Sequence, residues 1–217
     1  MEEIIQFDKQ LLLMVNGSDS EFFDYIILTL TNAKTWIPLY VGLFYVVLKA
    51  NKNLREIVLI LAAAGLCYLL AGAIDDGIVK PLVARWRPTH DPEIGHLVDT
   101  VNGYRGGKYG FFSAHAANTM SIAVFFSMLV RSRKLTIVLL SWSLLNCWTR
   151  MYLGVHYPGD LFVGMLLGLT GAILAYLLFA YVTGEKPMKE IKHGYLPVIV
   201  VSVTFAGIII TSFFYHF

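Results

Sequence analysis

Residues 157–182 read YPGDLFVGMLLGLTGAILAYLLFAYV and contain a single charged side chain, that of Asp160. Roughly 20 apolar residues in a helix cross a bilayer core of about 30 Å, so this stretch predicts a membrane-spanning helix. Five further apolar stretches predict spans at 35–49, 57–79, 112–130, 135–153 and 195–215. We therefore expect an all-α fold, a polytopic transmembrane helix bundle of about six spans.

The composition of the chain supports a membrane location. Hydrophobic residues make up 57% of the 217 residues and charged residues only 15%, against about 25% charged in soluble domains. A net charge of +2 gives no reason to expect a nucleic-acid partner. Cys67 and Cys147 both lie in apolar runs, so they predict neither a disulfide framework nor a zinc cluster.

The N-terminal region differs from the predicted spans. The start, Met1-Glu2-Glu3, lacks the basic region of a cleavable signal peptide. The segments 4–15 and 20–31 are short and carry acidic residues, so they are expected to be interfacial helices or a re-entrant pair.

Basic residues gather in three short loops, at 49–55, 131–134 and 186–192. The order of the spans places these loops on one side, which the positive-inside rule assigns to the cytoplasm. The loops 80–111 and 150–156 are then expected to face outward. No repeat, low-complexity tract or linker divides the sequence, so one domain over residues 1–217 is expected. The nine basic residues are Lys49, Lys52, Arg55, Arg131, Arg133, Lys134, Lys186, Lys189 and Lys192.

Cations cluster in the outward loops, within residues 80–160. One cation near a span end is usually an anchor that reaches back to the interface. Lys80, Arg87 and Arg150, however, gather at one face of the membrane. Such donors bind a tetrahedral oxyanion such as phosphate, and arginine adds planar bidentate contacts. Together they predict an anion site.

Ser113 precedes an apolar stretch and is a natural helix N-cap. The first amides of that helix, at Ala114 and His115, are expected to be unpaired and directed at an anion. The small side chain of Ala114 allows a phosphate to approach the backbone closely. Taken alone, His115 is more often a satisfied polar group, but it can also donate a proton to a leaving oxygen.

His156 and Asp160 are four residues apart, with Pro158 at a predicted first helical position. This spacing puts both side chains on one face of a helix. A carboxylate bonded to one imidazole nitrogen fixes the tautomer and makes the other nitrogen a better nucleophile. Asp160 could instead only complement the helix N-terminus.

Three other basic residues, Arg85, Arg105 and Lys108, are interpreted as solvated loop residues. The loop 102–110 could still contact a second phosphate or a sugar headgroup, through Arg105 and Lys108. Asp75 and Asp76 end a long uncharged stretch, where buried acids are costly. They either reach the interface or pair with a loop cation, and the sequence leaves both open.

These residues resemble the motifs of the type 2 phosphatidic acid phosphatase (PAP2) superfamily, membrane phosphatases related to the vanadate haloperoxidases. The family motifs are K-x6-R-P, P-S-G-H and S-R-x5-H-x3-D. The first is matched in full by Lys80, Arg87 and Pro88. The third is matched by Arg150, His156 and Asp160, with Thr149 in place of serine. The second keeps Ser113 and His115, with Phe112 in place of proline and Ala114 in place of glycine.

The resemblance implies a phosphatase that needs no metal and no cofactor. His156 would attack phosphorus and form a phosphohistidine, Asp160 would orient it, and His115 would protonate the leaving group. The phosphoryl oxygens would be held by Lys80, Arg87, Ser113 and Arg150, with the amide of Ala114 as a further donor.

The resemblance also implies a lipid phosphate substrate and a bacterial inner membrane, with the active site facing the periplasm or outside. Bacterial members of the family act on undecaprenyl diphosphate, phosphatidylglycerol phosphate, phosphatidic acid or the phosphates of lipid A. No obligate protein partner is evident from the sequence.

Two rival functions remain. An anion transporter or channel predicts basic residues spread through several spans, or broken helices at mid-membrane, whereas here they collect at one face. A metal hydrolase could use His115 and His156 as zinc ligands, but no HExxH motif or carboxylate set completes a site.

Overall fold

Pro158 occupies the first turn of the longest described helix, which runs for 26 residues to Thr183. A computed structural model of the protein describes residues 2–51, 53–184 and 194–214, with the backbone alone at residues 70–74 and 76. Within these residues the regular structure is helical, which confirms the all-α class. The same residues contain one isolated β-bridge, between Trp86 and Tyr109, and no sheet. The α-helices are α1 (Glu2–Leu13), α2 (Glu21–Thr31), α3 (Ile37–Ala50), α4 (Leu54–Ile74), α5 (Lys80–Val83), α6 (Ala114–Val130), α7 (Arg133–Tyr152), α8 (Pro158–Thr183) and α9 (Leu196–Ser212).

All six stretches predicted to span the membrane contain a helix. Among the described residues, one of these, α8, is both long and apolar enough to cross a bilayer by length and composition. Only 33% of the 18-residue apolar stretch of α8 is buried inside the protein, whereas the core helix of a soluble protein would be mostly buried. Helices α6 and α9 are apolar but only 17 residues long. The number of six spans therefore stays a prediction.

Helices α6 and α8 form the closest packed pair near the predicted catalytic residues. A Cβ on Gly164 would lie 2.5 Å from the carbonyl oxygen of Ser113, and a Cβ on Gly168 would overlap the carbonyl of Ala117. Glycines four residues apart let the two helix backbones touch, as small residues do at membrane helix interfaces. This contact fixes the start of α6 beside the start of α8.

The chain leaves α4 through a π-helical turn, Asp75–Val79, and reaches α5. Asp75 is fully buried there, and its Oδ2 lies 2.5 Å from Nζ of Lys80. Of the two alternatives for Asp75, the structure therefore shows pairing with a cation, although that cation belongs to α5 and not to a loop. The side chain of Asp76 lies outside the described residues. Ala84, in the left-handed conformation with φ of 49°, ends α5 and turns the chain into the long loop before α6.

The two N-terminal helices pack against different parts of the bundle. Helix α1 contacts α8, while α2 contacts α7 and α9. Asp8 and Lys9 of α1 are buried, which is unusual for neighbouring charged residues of a short helix. The location of α1 and α2 in the membrane interface stays a prediction.

Some basic residues of the predicted cytoplasmic loops lie within the described residues. They are found at the turn from α3 to α4 and at the turn from α6 to α7. Since α6 starts at Ala114 and α7 ends at Tyr152, the α6–α7 turn is at the far end of these helices from the loops 80–111 and 150–156. This arrangement fits the predicted sidedness without testing it. Lys52, Lys186, Lys189 and Lys192 lie outside the described residues.

Candidate active site

Buried polar side chains converge where the long loop before α6, the start of α6 and the α7–α8 turn meet. A polar cluster this well buried requires internal partners or a ligand, because unpaired polar groups are costly to bury. The fully or nearly fully buried members are Arg87, Ser113, Arg150, His156 and Asp160. The structure thus brings together residues from all three sequence motifs.

His156 and Asp160 lie on one face of the first turn of α8, as their spacing predicts. Nδ1 of His156 is 3.6 Å from Oδ2 of Asp160, longer than a hydrogen bond, and has no other partner among the described residues. Oδ2 of Asp160 accepts a hydrogen bond from the backbone amide of Tyr157 at 3.0 Å, which caps α8. The carboxylate is thus anchored beside the ring nitrogen that it could orient.

The other nitrogen of His156 faces Arg87. Nη1 of Arg87 is 3.3 Å from Nε2 of His156, and since guanidinium is only a donor, Nε2 is the acceptor. The guanidinium also donates to the carbonyl oxygens of Tyr109 and Val155, which fix its plane. Nε2 therefore carries the lone pair, and the proton of neutral His156 sits on Nδ1, toward Asp160.

Electrostatics keep His156 neutral. Burial lowers its pKa well below 6.5, and the charges of Arg87, Arg150 and Lys80 lower it further. A neutral imidazole with a free lone pair is the nucleophilic form. At neutral pH the residue therefore keeps the Nε2 lone pair that a nucleophile needs.

Arg87 and Arg150 are two buried guanidinium groups with no carboxylate partner among the described residues. Nη1 of Arg150 donates to Oγ1 of Thr31 at 2.7 Å and to the hydroxyl of Tyr104 at 3.1 Å, while its Nε has no described partner. Burial, and then the charge of Arg150, lower the pKa of Arg87. Two buried, mutually repelling cations form a site for an anion, which would supply the missing charge.

The start of α6 lies against α8, as the N-cap at Ser113 predicts. Oγ of Ser113 accepts from the amide of Ala116 at 3.4 Å, and its own amide donates to the carbonyl oxygen of Asp160 at 3.1 Å. The amides of Ala114 and His115 belong to the first turn and have no partner within the helix. This helix end can donate to an anion near His156.

His115 is held by α2. Its Nε2 lies 3.0 Å from the carbonyl oxygen of Thr31, so Nε2 is the protonated nitrogen that donates this bond. Nδ1 is then the nitrogen available to a ligand. The same Thr31 contacts Arg150 through its hydroxyl, so the last residue of α2 supports two site residues at once.

Lys80 differs from the two arginines because it has a carboxylate partner. It is bonded to Asp75 at 2.5 Å, and its charge acts on His156 as one of the influences on the histidine pKa. Its predicted contact with phosphoryl oxygens would therefore compete with the Asp75 carboxylate.

The interpretation of Arg85 as a solvated loop residue is wrong. Its Nη1 lies 2.6 Å from Oδ1 of Asp160, its Nη2 lies 2.5 Å from Oδ2 of Asp8, and its guanidinium stacks 4.4 Å above the Tyr157 ring. Asp8 in turn accepts from the amide of Gly159 at 2.8 Å. Arg85 thus links the Asp160 carboxylate, beside His156, to Asp8 of α1. The loop before α6, helix α1 and the start of α8 meet at this point.

Arg105 and Lys108 are exposed, as expected for loop residues. Nζ of Lys108 lies 4.5 Å above the ring of Trp86, and the carbonyl oxygen of Arg105 accepts a bond from Thr89. Their predicted contacts with a headgroup stay predictions.

Gly110 is a site residue that the sequence did not single out. Its amide donates to the carbonyl of Arg85, and a Cβ there would lie 3.1 Å from both Cγ of Arg87 and Oδ2 of Asp160. A larger residue would push the arginine or the carboxylate out of place.

Two of the three motif departures, those at Thr149 and Phe112, have local explanations. Thr149 is fully buried, and its hydroxyl donates to the carbonyl of Asn146 at 2.7 Å, a helix-internal bond that serine could also make. Phe112 is buried directly before the N-cap of α6. Both side chains are thus buried in the protein.

No group of three or more His, Cys, Asp or Glu side chains that could hold a metal ion occurs within residues 2–51, 53–184 and 194–214. The donors around His156 are arginines and amides, which suit an anion and repel a cation.

Comparison with known proteins gives a coherent result. Residues 56–183 match the model of the PAP2 superfamily. The chain is 37% identical to a lipid A 4'-phosphatase of Bacteroides thetaiotaomicron over 98% of both chains. It is 34% identical to a lipid A 4'-phosphatase of Porphyromonas gingivalis, over 83% of this chain and 76% of the relative. It is also similar to a decaprenylphosphoryl-5-phosphoribose phosphatase of Mycobacterium tuberculosis, with 40% identity over 45% of this chain and 50% of that protein. No solved structure matches the chain.

Proposed function

Because this chain belongs to the PAP2 superfamily, we propose that it is a membrane phosphatase that removes the 4'-phosphate of lipid A. The observation that carries the phosphatase activity is the pair of buried, carboxylate-free arginines, one of which donates to Nε2 of a neutral histidine. The lipid A 4'-phosphatases that align over most or all of this chain support the choice of substrate.

The phosphate-binding donors are Arg87 and Arg150, the hydroxyl of Ser113, the amide of Ala114 and the ammonium of Lys80. A bound phosphate would lie between the two guanidinium groups and accept the N–H that Arg87 gives to His156. Its arrival thereby frees the lone pair of Nε2 at the moment when the phosphorus atom is in reach.

In the first step Nε2 of His156 attacks phosphorus. The N–P bond forms while the bond from phosphorus to the sugar oxygen breaks, and positive charge builds on the imidazole. Asp160, 3.6 Å from Nδ1, stabilises that charge and holds the ring. The contact is expected to shorten as the charge develops, since catalytic hydrogen bonds often tighten only when the substrate is bound.

The substrate phosphate monoanion gives its proton to Nδ1 of His115, whose Nε2–H is committed to Thr31, and this proton then passes to the leaving oxygen. In the second step water attacks phosphorus and loses a proton to the same Nδ1. The N–P bond breaks, the proton on Nδ1 of His115 leaves with the inorganic phosphate, and both histidines return to their starting states.

The route uses no metal ion, since charge stabilisation comes from arginines and amides. EDTA should therefore leave phosphate release intact. A loss of activity in EDTA that zinc or magnesium restores would contradict the metal-free route.

The remaining parts of the proposal concern the whole chain. We take residues 1–217 as a single domain with its motif core at 80–160, located in a bacterial inner membrane with the active site toward the periplasm. The rival function, an anion transporter or channel, shares the cations but needs no nucleophile beside them.

Phosphate release by the purified protein in detergent tests the function directly. The substrates are lipid A, undecaprenyl diphosphate, phosphatidylglycerol phosphate and phosphatidic acid, with His156→Ala as the matched control. We expect the highest kcat/KM with lipid A, and mass spectrometry should find the 4'-phosphate lost and the 1-phosphate kept. Release from another lipid alone would refute the substrate, and no release from any of them would refute the activity.

A further inference from the structure

Helix α2 ends at Thr31, a buried residue that contacts two groups of the candidate active site. Its hydroxyl accepts a hydrogen bond from Nη1 of Arg150 at 2.7 Å, and its carbonyl oxygen accepts one from Nε2 of His115 at 3.0 Å. The first partner is a proposed phosphate ligand and the second is the proposed proton donor. Thr31 lies outside the three sequence motifs and outside residues 56–183, which match the family model.

The end of α2 is held in place by the turn that follows it. The last carbonyl groups of a helix have no partner within the helix. At α2 the carbonyl oxygen of Thr29 accepts from the hydroxyl of Thr35 at 2.7 Å, and that of Leu30 accepts from Nε1 of the buried Trp36 at 2.8 Å. The carbonyl of Thr31 comes next in this series. Its direction is therefore fixed by contacts that do not involve the catalytic residues.

The carbonyl oxygen of Thr31 determines which nitrogen of His115 exchanges a proton. Because a carbonyl only accepts, Nε2 keeps its hydrogen and Nδ1 is the basic nitrogen. When Nδ1 takes the proton of the phosphate monoanion, the ring becomes a cation and its bond to Thr31 becomes charge-assisted. The C-terminal end of α2 carries partial negative charge and favours the same cation. Thr31 therefore stabilises the form of His115 that gives a proton to the leaving oxygen.

The hydroxyl of Thr31 helps to set the direction of the Arg150 guanidinium. Nη1 carries two hydrogens and meets two acceptors, the hydroxyl of Thr31 and, at 3.1 Å, the hydroxyl of Tyr104. Because the guanidinium is planar, holding Nη1 also fixes the direction of its remaining N–H groups. Loss of the Thr31 hydroxyl would leave a buried N–H of Arg150 without its acceptor and let the plane turn away from the phosphate.

We propose that Thr31 is a positioning residue of the phosphatase reaction, which orients Arg150 through its hydroxyl and His115 through its carbonyl. The inference rests on the proposed function and adds to it a residue of the N-terminal region. The two contacts act on different steps. Arg150 binds the phosphate of every substrate, whereas proton transfer by His115 matters only where the leaving oxygen needs a proton.

Thr31→Val removes the hydroxyl at nearly constant size, while Thr31→Ser keeps it. We expect Thr31→Val to lower kcat/KM by about 10- to 100-fold, the usual effect of losing a hydrogen bond to a charged group, and to do so equally for lipid A and nitrophenyl phosphate. Thr31→Ser should stay within about threefold of wild type. Thr204→Val in α9 is the matched control, because it removes a half-buried hydroxyl that is bonded only within its own helix, to Val200 at 2.8 Å.

The carbonyl can be weakened by an α-hydroxy acid in place of Asn32, since the ester carbonyl that then follows Thr31 is a poorer acceptor than an amide carbonyl. We expect kcat on lipid A to fall by about 3- to 10-fold and kcat on nitrophenyl phosphate to change by less than about twofold. The same replacement at Thr35 is the matched control. Like the replacement at Asn32 it removes one backbone N–H bond of this turn, but it leaves the carbonyl of Thr31 an amide.

Orthovanadate, a tetrahedral anion like phosphate, gives a readout that needs no turnover. It should raise the Tm of wild type and of Thr31→Ser, each compared with its own Tm in the absence of vanadate. Thr31→Val should need about 10-fold more vanadate, or more, for the same increase, because its Arg150 is less well oriented.

A Thr31→Val protein with the kcat/KM and vanadate response of wild type would overturn the role of the hydroxyl. So would a Thr31→Ser protein as impaired as Thr31→Val, because the hydroxyl would then be present without effect. An ester at position 32 that slows both substrates equally, or neither, would refute the role of the carbonyl. If wild type releases phosphate from no substrate while the vanadate response still depends on the Thr31 hydroxyl, the proposed function fails and the orientation of Arg150 by Thr31 stands.

Discussion

Arg85 connects the N-terminal helix to the carboxylate beside His156, and its removal should impair catalysis more than its position in a loop suggests. In Arg85→Met, Oδ1 of Asp160 loses its 2.6 Å partner, and the fully buried carboxylate keeps only the amide of Tyr157 on its other oxygen. An isolated buried carboxylate is unstable, so it would take up a proton or turn toward another donor. Either change removes its support for the positive charge on His156.

The size of the effect follows from the burial of the pair. Breaking a buried ion pair by removing one partner costs about 3–5 kcal/mol, and because the Arg85 side chain is 25% exposed we reduce this to about 2–3 kcal/mol. If that loss appears in the transition state, kcat falls by about 30- to 160-fold. KM should change less, since Arg85 contacts none of the residues that are proposed to bind the phosphate.

Steady-state phosphate release measures kcat and KM separately for this variant. Asp8→Asn should lower kcat only about 3- to 10-fold, because an asparagine oxygen can still accept from Gly159 or Arg85. Lys34→Met, which removes an exposed cation, is the matched control and should stay near wild type. A folded Arg85→Met protein with kcat within threefold of wild type would refute the idea that Arg85 positions Asp160.

Three further predictions concern the histidines and the sidedness of the chain. His115→Ala should slow lipid A hydrolysis far more than hydrolysis of nitrophenyl phosphate, because the nitrophenyl leaving oxygen needs no proton, whereas His156→Ala should abolish both reactions. The ratio of variant to wild-type kcat on each substrate measures this. If nitrophenyl phosphate instead restored turnover in His156→Ala, the roles of the two histidines would have to be exchanged. Burial and the neighbouring arginines lower the pKa of His156 well below 6.5, so His156 stays neutral as pH falls through 6.5. After correction for the titration of the substrate, the pH at which kcat/KM falls on the acid side should therefore lie below 6.5. A fall of kcat/KM at pH 6.5 or above would contradict this expectation. In a cysteine-free background, an impermeant thiol reagent on intact cells should label Asn102→Cys and spare Ser132→Cys, and the reverse pattern would overturn the predicted orientation.

The parts of the site that the sequence predicts are those set by local geometry. His156 and Asp160 share a face because four residues make about one helical turn, and Ser113 caps α6 because a small hydroxyl precedes an apolar run. Both features need only the chain on either side of them. The same holds for the helices, since each apolar stretch satisfies its own backbone hydrogen bonds.

The contacts that the sequence could not predict join residues far apart in the chain. Arg85 meets Asp8 across 77 positions, and Arg150 meets Thr31 across 119. In the sequence, Asp8 is an acidic residue of a short polar helix and Arg85 a basic residue of a loop, and solvent is the ordinary partner of both. Only the packing of α1 against the start of α8 turns them into buried neighbours.

The glycine contact between α6 and α8 has a mechanical consequence for an enzyme that works inside a lipid film. A film that thickens or thins makes transmembrane helices tilt. Because Gly164 and Gly168 of α8 lie against the α6 backbone, a tilt of α8 is expected to carry the start of α6 with it. The spacing between the Ser113 end of α6 and Asp160 is therefore insulated from the elasticity of the lipid.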